Sequence, residues 1–385
     1  MLSSGSFISR RKKDLTGSGS RRLLNILHVD PEKNWGGGEA QVFGLLDYLS
    51  ARGHRNDLLA DPNGLLYANC RELDVRLRPL SVRNDLDLAA AAKLRRVIYS
   101  EAFDIVHFHT KRAHALSLWL WPKRSQPKYV ATRRMDYPER RGWYTHLLYN
   151  RKIDGVVAIS RVIAEGLAET GVERGKIRHI PSGIEPARFI SADSQKLPSR
   201  DPLVIGSAAV LEARKGHEFL LEAAALLKTD GFHLTYRIAG AGPLRHQLEQ
   251  QAAHLGLQEE VHFLGFVSDI AKFLADIDIF VMPSLHEGLG VAVLEAMAAG
   301  KPVIASRVGG LAESVVDDVT GILVPPANAT ALAQALAKLA QARSLAAEMG
   351  YQGRERIERH FTLERMAAAN ETYYYELLGA TPERI

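Results

Sequence analysis

Short apolar runs alternate along this chain with stretches of helical spacing. Leu23–Val29 is apolar and ends at Asp30 and Pro31; a turn at Gly36–Gly38 follows. Ala40–Ser50 then repeats apolar side chains at Val42, Leu45, Leu46 and Leu49, the spacing of one helix face. Ile105–Phe108, Tyr129–Ala131 and Val156–Ile159 read as further strands with helical patterns between them. That order predicts a parallel sheet with crossover helices. Glu185–Asp201 holds Pro186, Ser191, Ser194, Pro198 and Ser199 with little apolar periodicity, and reads as a linker. The pattern then restarts: strand Leu203–Ala208, helix Gly216–Leu227, strand Leu234–Ala239, helix Pro243–Leu255. Strands follow at Val261–Phe263, Ile279–Met282, Pro302–Ala305 and Gly321–Val324, and Leu363–Leu378 is an amphipathic helix. Two wound α/β halves fit this better than one large sheet, and no repeat of about 20–50 residues is visible.

Length agrees, since 385 residues exceed what one core sustains. No run of about 18 apolar residues is present, so no spanning helix is expected. Residues 1–22 carry Arg10, Arg11, Lys12, Lys13, Arg21 and Arg22 among Ser and Gly, without the apolar stretch of a signal peptide. They read as a disordered basic tail. The single cysteine, Cys70, excludes an intramolecular disulfide or a Cys-based metal cluster, and a reducing cytoplasm is the simplest setting. Charge changes the picture more. From Lys111 to Lys152 there are 11 Lys/Arg against 2 Asp/Glu, a local balance of +9 in a chain of net +5. Trp119, Trp121, Tyr137, Trp143, Tyr144 and Tyr149 are interleaved there. An anionic partner fits this stretch, whether phosphorylated acceptor, membrane face or nucleic acid; so does a solvated charged surface.

The most informative stretch runs from Pro283 to Pro302. A strand ends at Met282, a Gly-containing turn follows, and a helix runs to Ala299 before Gly300 and Pro302 stop it. Glu287 falls in the turn at a strand's carboxyl end, and Glu295 on the helix. The N–H groups of Leu289, Gly290 and Val291 belong to the helix's first turn, which suits an anion, and Gly288 and Gly290 let a ligand approach.

This segment resembles the Glu-x7-Glu signature of the retaining glycosyltransferases of sequence family four. Lys215-Gly216-His217, Ala239–Leu244 with Gly240 and Gly242, Phe263–Phe266, Gly36–Glu39 and Ser182–Glu185 resemble further motifs of that family. The likeness covers roughly residues 23–378. It implies the GT-B fold: α/β, two Rossmann-like domains facing a central cleft. The expected layout is an acceptor-binding domain at 23–185, a linker at 186–200, a nucleotide-sugar domain at 201–362, and a helix at 363–385 crossing back. By the resemblance Glu287 contacts the donor sugar and Glu295 the ribose. Lys215 neutralises the departing diphosphate, configuration is retained, and neither a metal nor a bound cofactor is needed beyond the nucleotide-sugar co-substrate. Gly37 and Gly38 let their loop pass close to the donor or acceptor. One position departs: Val210 stands where the family has an arginine, and Arg214 is the neighbour that would compensate.

In the first half His109 and Lys111 follow a buried strand, at the end where ligands gather in open α/β sheets. His107-x-His109 lacks further nearby ligands in the sequence, so a metal is not expected. Arg133, Arg134 and Asp136 follow another strand, in a region where family members place a histidine. Planar multi-donor groups there suggest a phosphate or carboxylate on the acceptor. The expected function is transfer of a sugar to an anionic glycan or glycolipid in envelope polysaccharide or lipopolysaccharide assembly. The expected location is cytoplasmic, with room for peripheral contact at an anionic membrane. A nucleotide-sugar epimerase on the same fold is the enzymatic rival. A polyanion- or membrane-surface-binding protein is the rival of another class, and nucleic acid is set aside as a partner. A nicotinamide oxidoreductase fits less, because the first turn is Gly-Gly-Gly-Glu rather than Gly-x-Gly-x-x-Gly.

Overall fold

In the computed structural model, which describes residues 22–121, 126–136, 141–190 and 202–380, the apolar runs form two separate parallel sheets. The first contains β1 (Asn25–Asp30), β2 (Arg55–Ala60), β3 (Arg76–Pro79), β4 (Ile105–Phe108), β5 (Lys128–Arg133), β6 (Gly155–Ala158) and β7 (Ile177–His179). The second contains β8 (Leu203–Ala208), β9 (Leu234–Ala239), β10 (Val261–Gly265), β11 (Ile279–Met282), β12 (Val303–Ser306) and β13 (Gly321–Val324). Their spatial orders are β3-β2-β1-β4-β5-β6-β7 and β10-β9-β8-β11-β12-β13. Each is therefore doubly wound, with its strand order reversing between β1 and β4 and between β8 and β11. Open α/β sheets bind ligands at the carboxyl ends of such a pair.

Helices cover both faces. Around the first sheet run α1 (Gly37–Ala51), α2 (Leu65–Asn69), α3 (Leu88–Ser100), α4 (Lys111–Ala115), α5 (Trp143–Thr145) and α6 (Arg161–Glu169). The second carries α7 (His217–Thr229), α8 (Arg245–His254), α9 (Ile270–Ala275), α10 (Val291–Ala298), α11 (Leu311–Ser314), α12 (Ala329–Gln341) and α13 (Arg343–His360). Last comes α14 (Leu363–Leu377). Strands β4, β6, β8, β11, β12 and β13 are buried at every residue, which is why they appear in the sequence as continuous apolar runs. The apolar pattern does not predict β2, β3 or β7. Asn56 and Asp57 are buried within β2, where Arg78 of β3 pairs with Asp57 at 2.6 Å. β3 and β7 are short sheet edges rich in Arg and His.

The chain returns to the first sheet through α14, which packs on α1 and buries Tyr373, Tyr374 and Tyr375 against Leu24, Ile26 and Leu45. The crossing is pinned where Ile184 N–H donates to the Phe361 carbonyl at 2.9 Å and Leu363 N–H to the Ile184 carbonyl at 2.7 Å. A Cβ at Gly183 would lie 2.2 Å from the Thr362 carbonyl oxygen, so these two backbones can touch only at a glycine. Further along, Tyr374 Oη bonds His107 Nδ1 at 2.6 Å, and Glu371 meets His54 at 2.7 Å. Residues 1–21 of the expected tail and 191–200 of the expected linker lie outside the described residues, as does Tyr137. Arg22, the last residue of that tail, is held: its carbonyl accepts from Tyr375 Oη at 2.6 Å and its guanidinium pairs with Asp104.

Candidate functional site

Two loops meet at the β8–β11 reversal. The β8 loop carries Lys215 in a single 3₁₀ turn closed by Gly216, whose φ of 64° is left-handed. The β11 loop carries Glu287 and ends at Gly290 (φ 80°), the N-cap of α10. The Arg214 carbonyl accepts from Leu285 N–H at 2.8 Å and so fastens one loop to the other. Across that seam the Lys215 ammonium is ion-paired with the Glu287 carboxylate, and both side chains are nearly buried. Ser284 Oγ lies 3.4 Å from the same carboxylate. A primary ammonium beside the amino end of a helix is a site for a doubly charged phosphate group. Glu295 projects from α10, where burial lifts its carboxyl to about 7, opposed by Arg188.

Arg214, the neighbour expected to compensate for Val210, is held on its own loop. Its Nε donates to Glu212 at 2.9 Å, while Val210 is 46% exposed. Gly240 and Gly242 brace the β8 loop from behind: a Cβ on either would lie 1.8 or 2.4 Å from the carbonyl oxygens of Ala209 and Leu211. Gly288 also approaches protein backbone, and its Cβ would lie 2.0 Å from the Arg134 carbonyl oxygen. The Leu289 backbone is tied down in turn, its carbonyl accepting from Ser314 Oγ at 2.8 Å.

From the first sheet, the β5 end reaches into this seam. Asp136 Oδ2 accepts from Glu287 N–H at 3.2 Å and lies 4.0 Å from His286. Arg134 lies over Gly38, and Gly37 faces Val291 at the start of α10. Burial, followed by Glu39, raises the Asp30 carboxyl to about 7. Burial raises Glu39 as well, and Asp30 and Glu39 are the charges opposing the downward push of burial on the Arg134 guanidinium. Strand alternation separates the two arginines that the sequence suggests as a pair. Arg134 shares a face with Thr132 and His107, while Arg133 is buried on the other face, near His114. Tyr149 of the aromatic stretch is likewise a core residue packed on His114, whereas Trp121 and Trp143 are exposed. Lys111 is exposed at the start of α4.

A small cavity opens on the Arg134 face, lined by Gln41, His109, Thr132, Arg134, Ser182 and Asn370. Among the described residues His109 Nδ1, Arg134 Nε, Ser182 Oγ and Asn370 Oδ1 are buried there without a hydrogen-bond partner. Behind it stands a third imidazole, His28 on β1, contrary to the expectation that His107 and His109 have no ligand-type neighbour. One nitrogen from each of the three lies within 4.8 Å of the others, so the group has the donors for a metal ion. Their bonds account for much of that closeness. His28 Nδ1 and His109 Nε2 share a hydrogen bond of 2.9 Å, and both His107 nitrogens are engaged, by Tyr374 and by Thr132. Burial holds all three neutral, His28 at about 3. His28 left no sequence signal because it sits alone in an apolar run. Glu313, placed between the two domains, left none either.

Residues 189–356 match the family described as Glycosyl transferases group 1, and residues 35–188 match Glycosyltransferase Family 4. The lipopolysaccharide core biosynthesis glycosyltransferase LpsE of Rhizobium meliloti is 30% identical over 367 residues, covering 93% of this chain and 100% of that protein. The amylovoran biosynthesis glycosyltransferase AmsK of Erwinia amylovora is 34% identical over 66% of this chain and 61% of its own length. Among solved structures, Anabaena Alr3699/HepE in complex with UDP and glucose superposes with a TM-score of 0.78 at 20% identity, over 92% of this chain and 100% of that one.

The buried Glu295 carboxyl has a measurable signature. Its ordinary value is 4.5 and its folded value about 7, so unfolding between these releases a proton and stability falls as pH rises through that window. Glu295→Gln removes the effect. Its melting temperature should exceed the parent's by several degrees at pH 8 and match it near pH 4.5; an equal difference at both would contradict the burial.

Proposed function

The chain belongs to the glycosyl transferases of group 1, and on that premise we propose that it is a retaining enzyme that moves a sugar from a nucleotide-diphosphate sugar to a hydroxyl of an anionic glycan or glycolipid. The observation that carries this is the Lys215–Glu287 pair at the amino end of α10. During transfer the bond from the anomeric carbon to the diphosphate breaks, a bond to the acceptor oxygen forms, and the proton of the acceptor hydroxyl passes to the departing diphosphate oxygen. Charge grows on the diphosphate as it leaves, and a fixed ammonium with helix N–H groups lowers the energy of that state. Glu287 is paired with Lys215. The incoming diphosphate takes over the ammonium and frees the carboxylate for the hydroxyls of the donor sugar. Glu295 takes the ribose. These side chains and the helix end supply the charge, so the reading includes neither metal nor bound cofactor. The UDP and glucose held by the Anabaena neighbour support a nucleotide-sugar donor.

The acceptor belongs on the other wall of the cleft, where Arg134 and the unpartnered atoms of His109 and Ser182 line a polar cavity. Relatives that build lipopolysaccharide core and amylovoran support an envelope polysaccharide as product. No helix among the described residues is long and apolar enough to cross a membrane. Exposed Trp121 and Trp143 in the +9 stretch support a peripheral contact with an anionic leaflet.

A thermal-stabilisation panel of UDP-, GDP- and ADP-sugars, with NAD as control, tests the donor. One nucleotide sugar at about a hundredfold above its Kd adds roughly 2.7 kcal/mol and raises the melting temperature, and Glu295→Ala abolishes the rise. Stabilisation by NAD alone would defeat the proposal. The acceptor is tested with a glycolipid in anionic vesicles, compared with and without its phosphate. The chain should sediment with the vesicles and prefer the phosphorylated form, and Arg134→Ala should cut that preference by about tenfold or more. Equal transfer to both forms by the parent would rule out an anionic acceptor.

A further inference from the structure

Helix α6 of the first domain has an unusual cap. Its N-cap Ser160 accepts from Ile163 N–H at 3.3 Å, which satisfies one donor of the first turn. Two more, Arg161 N–H and Val162 N–H, donate at 2.6 and 3.2 Å to one carboxylate oxygen of Glu313, which belongs to α11 of the second domain. His179, ending β7 of the first domain, lies 3.5 Å from the other oxygen. A carboxylate against the positive end of a helix is favourable, the more so when partly buried; Glu313 is 20% exposed.

What α11 touches on its other side makes this more than a surface contact. Arg356 of α13 grips the carbonyls of Glu313 and Ser314 at 2.8 and 2.9 Å, so Glu313 is rooted in its own domain. Ser314 Oγ donates to the Leu289 carbonyl, and Gly310 N–H to the Glu287 carbonyl at 3.2 Å. A Cβ at Gly309 would lie 1.9 Å from that same oxygen. The turn before α11 therefore packs directly on the loop that carries Glu287, with no side chain between them. One short helix is bonded at one end to the donor loop and at the other to the acceptor-side domain.

We propose that Glu313 is a positioning residue: by capping α6 from the opposite domain it clasps the domains together and holds the Glu287 loop in its closed place. It touches neither donor nor acceptor. Its contribution is to the closed population, which sets how much binding energy is spent on closing.

Small-angle X-ray scattering of the ligand-free full chain tests the clasp, with the parent, Glu313→Ala and Glu313→Gln compared. Alanine should enlarge the radius of gyration while leaving the cooperative melt in place. Glutamine keeps an oxygen acceptor for the two N–H groups and should restore the parent's curve. If alanine fails to fold, Glu313→Asp, shorter by one methylene, takes its place with the same expectation of opening. In the same set, affinity for whichever nucleotide sugar stabilises the parent should fall by about three- to tenfold in the opened variant and recover in glutamine. An alanine or aspartate variant that scatters like the parent, or a glutamine variant that stays open, would overturn the proposal. The scattering comparison uses no donor, so its failure is separate from failure of the glycosyl-transfer reading.

Discussion

The close passage of two backbones at the domain boundary governs the rest of the site. The Arg134 carbonyl, at the end of β5, lies where a side chain at Gly288 would begin. Because position 288 is glycine, the loop after β11 slides against the first domain, and Glu287 N–H meets Asp136. Arg134 and His109 then stand on one wall of the seam, with Asp30 buried near Arg134, while Lys215, Glu287 and the amino end of α10 stand on the other. Any residue larger than glycine at 288 pushes these walls apart.

Burial sets the electrostatics of both walls. On the first, desolvation raises Asp30 and Glu39, Glu39 lifts Asp30 further, and Arg134, itself lowered by desolvation, partly offsets the rise of both carboxyls as they offset its fall. On the second, Glu295 is raised and Lys215 is balanced by Glu287. A closed, water-poor seam suits glycosyl transfer, since water is the competing acceptor. It also makes closure itself a controlled quantity, and α11 lies between the two domains to control it.

Much of the fold was legible because buried parallel strands are written as unbroken apolar runs. β4, β8, β11 and β13 fall at the residues where those runs occur, and β9, half-buried at Thr235 and Arg237, falls where its alternating pattern does. β2 hides because Asn56 and Asp57 are buried polar groups, and β3 and β7 hide because edge strands need few apolar residues. Glu287 stood out through the glycines and the strand end around it, and Lys215 through the resemblance of Lys215-Gly216-His217 to a family motif. Arg133 and Arg134 look alike in the sequence, yet one residue of strand register sends them to opposite faces. His28 and Glu313 were invisible for another reason. Each gains its meaning only from partners more than 80 residues away, at 2.9 Å from His109 and at 2.6 Å from Arg161 N–H.

The most direct test of the donor site is a crystal structure of the chain with the nucleotide sugar that stabilises it. The account predicts the diphosphate within hydrogen-bonding distance of Lys215 Nζ and Val291 N–H, with Glu287 turned from the lysine to the sugar. A diphosphate bound instead at the β1–β4 reversal, beside His109 and Arg134, would contradict the assignment of donor and acceptor to their two domains.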